Sequence, residues 1–323
     1  MLEVQTAWGW QPALYLFLGG LGAGAFIAAA VLFFAPVKTR TIKGKEKVLC
    51  ASTWVATVCL VVGLLLLLSE LTQPLRALML WQSFSNLESW MALGAWIILI
   101  ALVLFGITAV CLSTTFIPAL KKINVSGGVY TFLFCAGSLA GLCLAIYTGV
   151  LLMAAEGIPF WDSWLLPCLF TVSALGTGMA ALEIITAFVG RKDTASEEKG
   201  FTLLKRAVPV LLVIEAIVLF AYVLTMAGAG ADDTTAEAAS QSAALLVSGE
   251  LAIIFWGLVV ACALIIPLVA AIAKVLIKGK ASGSFAIIGA LFALVGGCAL
   301  RFTILLAGIH ADPVFDALSK LVS

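Results

Sequence analysis

Residues 12–34 read PALYLFLGGLGAGAFIAAAVLFF, and the next basic residues are Lys38, Arg40, Lys43, Lys45 and Lys47. No charge interrupts the run, and its length suits the hydrocarbon core of a bilayer. The first ten residues carry one acid, Glu3, and no Lys or Arg. A cleavable signal peptide places its positive charges before the apolar run, whereas here they follow it. The segment therefore reads as a first transmembrane helix that enters from the outer side, since basic loops stay cytoplasmic.

Seven further apolar runs follow, at about 48–69, 90–112, 128–153, 164–189, 205–228, 243–271 and 283–308. Composition agrees, with 63% hydrophobic and 11% charged residues. A soluble domain carries about 25% charged residues. The predicted fold class is an all-α integral membrane protein of eight transmembrane helices. Fifteen Lys and Arg residues fall in or beside the odd-numbered loops, whereas the other side has only Arg76 and Lys320. This asymmetry predicts a multi-pass protein of the cytoplasmic membrane with both termini on the outer side. A net charge of +1 points to no charged partner, and no basic patch interleaved with aromatics suggests nucleic acid.

Leu21-Gly22-Ala23-Gly24 in the first span is echoed by Leu175-Gly176-Thr177-Gly178 in the fifth. The repeat predicts two four-helix bundles, residues 1–156 and 157–323, related by an axis along the membrane normal. Glycines at these positions allow close helix approach. Trp8, Trp10, Trp81, Trp90, Trp161 and Trp164 all fall at outer ends, where an aromatic belt is ordinary. Only Trp54 lies at the inner interface, so the excess also suggests an outer docking surface, with loop 69–89 its best candidate.

The eight cysteines include no CxxC pair and read as small packing residues, so no metal is expected in this protein. One histidine, His310, cannot form the pair that holds a b-type haem between helices, so no haem is expected. Ionisable residues inside spans are costly and mark function. Glu250 and Arg301 lie at similar depth, about seven residues from the outer ends of spans 7 and 8, which allows a salt bridge. Such a pair is either structural or one wall of a ligand pocket. Glu215 sits near mid-membrane and Glu183 nearer the inner end. These two either form a proton route from the cytoplasm or pair with Lys205 or Arg191. Pairing is the expectation for Glu183, and no inward route is expected. Gln11, Tyr15, Glu70 and Tyr147 fall in the outer half and, with Glu250 and Arg301, could line one outward pocket.

Several stretches resemble the polysulfide reductase/NrfD family of membrane subunits, which is related to the anchor subunit of dimethyl sulfoxide reductase. They are Trp10 to Gly24, Pro74-Leu75-Arg76, Tyr147-Thr148-Gly149-Val150-Leu151-Leu152, Pro159-Phe160-Trp161, Leu166-Pro167-Cys168-Leu169-Phe170 with Ser173-Ala174-Leu175, and Gly296-Gly297-Cys298-Ala299-Leu300-Arg301. The resemblance implies a haem-free anchor that binds quinol near the outer face, with menaquinone or ubiquinone as substrate rather than resident cofactor. It implies two partners, an iron–sulfur subunit docked outside and a molybdopterin catalytic subunit beyond it. By the match at the fourth span, Tyr147 is the residue expected at the quinone head group, and in the first span the polar position is Gln11 or Tyr15. Two other readings remain open at this point: a secondary transporter, and a structural anchor with no quinone site.

Overall fold

A peptide group in lipid has no water to bond, so a spanning segment must satisfy its backbone internally, as a helix does. The computed structural model describes residues 3–5, 8–35, 42–70, 89–114, 116, 125–155, 157–189, 199–229, 234–276 and 280–311. Its long helices are α1 (Trp10–Phe34), α2 (Ile42–Glu70), α3 (Trp90–Ser113), α4 (Gly127–Met153), α5 (Leu165–Val189) and α6 (Lys199–Ala227). After these come a short α7 (Thr234–Val247), then α8 (Ala252–Ile254), a π-helical stretch over Phe255–Ile265, α9 (Ile266–Leu276) and α10 (Lys280–Leu306). Among the described residues, eight segments are long and apolar enough to cross a membrane. The molecule is a nearly all-helical, multi-pass membrane protein.

The seventh span departs from the sequence reading. It runs over Ala252–Lys274, and residues 243–247 belong instead to the separate helix α7. Ser248, Gly249 and Glu250 form the turn between them. Gly249 comes so close to α7 that a Cβ there would lie 2.7 Å from the Leu245 Cα. The apolar residues that end α7 pack inward through Ala243 and Leu246, so in the sequence they merge with the span that follows.

Two helices occupy the centre. The core windows of α1 and α5 are 72% and 61% buried within the protein, against 28–39% for the other six spans. Small residues make this possible. A Cβ on Gly24 would lie 1.9 Å from the Ala174 carbonyl oxygen, and one on Gly178 would lie 2.0 Å from the Gly24 carbonyl carbon. The backbones of α1 and α5 therefore touch directly, at the glycines of the sequence repeat. α1 also packs on α2, α4 and α10. Around this pair, Phe26 stacks on Phe105 at 4.0 Å in the first half, and Phe160 meets Tyr222 at 5.2 Å in the second. The outer helices turn exposed Val58, Leu65, Ile100, Leu139, Leu224 and Leu291 away from the core, as lipid contact requires.

Segments near the two ends of the protein meet. Strand β1 (Glu3–Val4) pairs antiparallel with β2 (Ile309–His310), where α1 begins and α10 finishes. Gln5 locks the junction: its backbone N–H donates to Gly308, and its side-chain amide donates to the Trp8 and Leu305 carbonyls. Trp161 is not part of an interfacial belt. It is fully buried, donates its indole N–H to the Ile304 carbonyl at 3.0 Å, and meets Trp8 edge-on. Trp10, Trp90 and Trp164 are exposed at this same end. Trp81, Arg76 and the rest of residues 71–88, the suggested docking loop, lie outside the described residues. His310 is exposed.

Candidate functional site

Tyr147 lies six residues before the end of α4, and Tyr15 five residues after the start of α1. At 1.5 Å per residue both sit about 8–9 Å below the end where β1 and β2 pair. They line one open cleft between α1, α2, α3 and α4. Gly19, Gly63, Leu64, Ile98, Thr148 and Leu151 are among its other walls. The cleft is apolar apart from three hydroxyl groups. Tyr147 is buried and donates its phenolic proton to the Trp90 carbonyl in the first turn of α3, at 3.0 Å. Its ring occupies the space left by Gly94, where a Cβ would lie 1.9 Å from both the Tyr147 Cζ and its hydroxyl oxygen. Thr148 donates to the Ala145 carbonyl one turn back, at 2.6 Å.

Arg301 belongs to a second constellation. It is fully buried between α10 and α5, where Nη1 donates to the Ser173 hydroxyl at 2.5 Å and to the Gly297 carbonyl at 2.9 Å. Nη2 donates to the Phe170 carbonyl at 3.2 Å, and the guanidinium lies 5.0 Å from the centre of the Phe170 ring. Buried Glu215 of α6 lies near both Ser173 and Arg301. Arg301 and Glu215, read separately from the sequence, thus share one buried polar cluster with Ser173 between the helices. The central helix divides this network from the cleft: Gly19 lines the cleft, while a Cβ on Gly20 would lie 3.4 Å from Arg301 Nη2.

The expected pairing of Glu250 with Arg301 is not found. Glu250 is exposed in the turn after α7, because the span begins only at Ala252. Counting from the end of the apolar run placed it too deep. Gln11 is half-buried in the first turn of α1 with its amide oxygen against Gly9, and it does not line the cleft. Glu70 ends α2, and its side chain lies outside the described residues. Glu183 is paired with Lys274, whereas Arg191 and the side chain of Lys205, the partners suggested from the sequence, lie outside the described residues. That ion pair lies in a separate crevice at the opposite end, walled by α5, α6, α9 and α10. Gly176 lines this crevice and sits against the Glu215 carboxyl group. Among the described residues, no three His, Cys, Asp or Glu side chains gather as a metal site needs.

Sequence reasoning missed Ser173, Thr148, Trp90 and Gly94 as site residues. A polar residue at matching depth on a neighbouring central span was the available signal for Ser173. Nothing in the pattern marks Trp90, which contributes through its backbone carbonyl.

Fold and site together define a class: an eight-span helical membrane protein with a phenol-lined cleft near one face and a sealed arginine network behind it. The protein belongs to the polysulphide reductase NrfD family, whose pattern it matches over residues 2–311. It is 32% identical to the C subunit of the polysulfide reductase of Wolinella succinogenes over 321 residues, an alignment that spans 94% of both proteins. It is also similar to protein NrfD of Escherichia coli, at 30% identity over 318 residues, and to the NrfD homolog of Haemophilus influenzae, at 27% over 312. Each of these two alignments spans 93% of this protein and 94% of the relative.

Proposed function

We propose that this protein is the haem-free, quinol-binding membrane anchor of a molybdopterin/iron–sulfur oxidoreductase complex. It passes electrons between the menaquinone or ubiquinone pool and an iron–sulfur subunit on the outer face of the cytoplasmic membrane. The observation that carries the proposal is the cleft shared by Tyr15 and Tyr147. A quinone head group is a flat ring with two oxygens on a long apolar tail. An apolar groove with a few hydroxyl groups near one membrane face suits it. Leu60, Leu64 and Leu67 of α2 supply apolar wall for the tail. The fit extends to depth, since electrons need a short path to a docked cluster.

In this reading Tyr147 contacts the head group and Tyr15 faces it across the cleft. Oxidation of one quinol releases two electrons to the iron–sulfur partner and two protons to the nearby outer surface. Arg301, Ser173 and Glu215 do not touch the ligand. They form a buried polar backing behind α1. Glu183 is held by Lys274 in a structural pair at the inner face, and no inward proton route is invoked. The lettered name of the Wolinella relative, one subunit among several, supports membership of a multi-subunit reductase. The lysine and arginine asymmetry supports placing the cleft and both termini outside.

The test is metal content of the complex purified from its own host through a tag on this subunit. About sixteen irons per copy, as four [4Fe–4S] clusters, with about one molybdenum or tungsten, is the expected result. A well-folded preparation with no iron and no partner overturns the proposal in favour of a transporter.

A further inference from the structure

Two of the three hydroxyl groups of the cleft, those of Tyr147 and Thr148, can sort the two redox states of its ligand. Tyr147 owns one proton, and the Trp90 carbonyl receives it. Thr148 owns one proton, and the Ala145 carbonyl receives it. Each oxygen keeps lone pairs but has no second proton to give. Gly94 keeps Tyr147 in this arrangement, because only a residue without a Cβ leaves room for the ring beside Trp90. A quinone presents carbonyl oxygens, which only accept, whereas a hydroquinone presents two O–H donors.

We infer that Tyr147, backed by Thr148, is a hydrogen-bond acceptor that makes the cleft selective for the hydroquinone over the quinone. The inference rests on the reading of the cleft as a quinone site. To serve a quinone, Tyr147 must first withdraw its proton from Trp90, whereas a hydroquinone hydroxyl bonds to it as it stands. One net hydrogen bond of this kind is worth up to roughly tenfold in affinity. Tighter binding of the reduced form raises the two-electron potential of the bound pair, by about 30 mV for a tenfold preference. The cleft then both selects its ligand and sets its potential.

The experiment is an anaerobic titration of the purified complex with menadiol and, separately, menadione, followed by tryptophan fluorescence. Menadiol is expected to bind roughly five- to tenfold more tightly. Tyr147→Phe is expected to lower menadiol affinity to the menadione level while leaving menadione within about twofold. Gly94→Ala displaces the ring from Trp90, frees the phenolic proton, and is expected to shift the preference toward menadione. Thr148→Val tests the same point without disturbing α3, and its menadiol affinity is expected to fall by a smaller factor. Equal or tighter binding of menadione by the native complex overturns the inference and leaves the cleft reading standing. So does a Tyr147→Phe complex that loses menadione as much as menadiol. If neither compound binds, the cleft reading itself falls, and this inference with it.

Discussion

Arg301 shows how a charge is made tolerable inside a membrane span. Its guanidinium finds two backbone carbonyls, one hydroxyl and an aromatic face, and the Glu215 carboxyl group lies beyond Ser173. One donor, Nε, has no partner among the described residues, so the network there is incomplete. Replacing Arg301 with Met strands the Ser173 hydroxyl and the buried Glu215 carboxyl group together. The expected cost is about 1–3 kcal/mol, read as thermal unfolding of the detergent-solubilised protein. Adding Glu215→Leu is expected to recover part of that loss, since a fully apolar replacement leaves no buried charge. Additive losses would mean the two residues are not coupled. The sequence marked both residues as charges inside spans. It allowed a salt bridge between Arg301 and Glu250 because spacing along a span is readable, whereas direction around a helix is not.

At the scale of elements, the repeated glycines had the role expected of them: they let two helices touch. A Cβ at Gly178 would overlap the backbone of α1, so α5 could keep its place only if the central pair separated. Gly178→Ala is therefore expected to destabilise by about 1–3 kcal/mol. Gly257→Ala, in the π-helical stretch with nothing within 4 Å of its Cβ position, is expected to stay within about 0.5 kcal/mol of the native protein. Comparison of the two melting temperatures decides the matter. Similar losses would remove the special role of the α1–α5 contact. The split between α7 and the seventh span was not legible, because apolar residues continue across the turn. An interior helix face and a lipid-facing one have the same composition, so hydropathy records no boundary there.

For the whole molecule, the outcome that matters is sidedness. The paired strands at Glu3–Val4 and Ile309–His310 join segments near the two ends, and the charge asymmetry of the loops predicts that this end is outside. Alkaline phosphatase fused at the C-terminus is expected to be active in cells, and the same enzyme fused after Lys192 inactive. The reverse pattern would put the cleft on the cytoplasmic face and remove an outward partner. The amino-acid sequence by itself determined the number of spans and marked Arg301, Glu215 and Glu183 as charges within them. These follow from one-dimensional rules, the cost of placing charge and unpaired peptide groups in lipid. Only the tertiary structure decided which of those residues share a site. It put Tyr15 with Tyr147, Arg301 with Ser173 and Glu215, and Glu183 with Lys274, and it left Glu250 outside. The reason is geometric: helices contact one another through faces, and which face turns inward depends on packing against neighbours far away in the sequence.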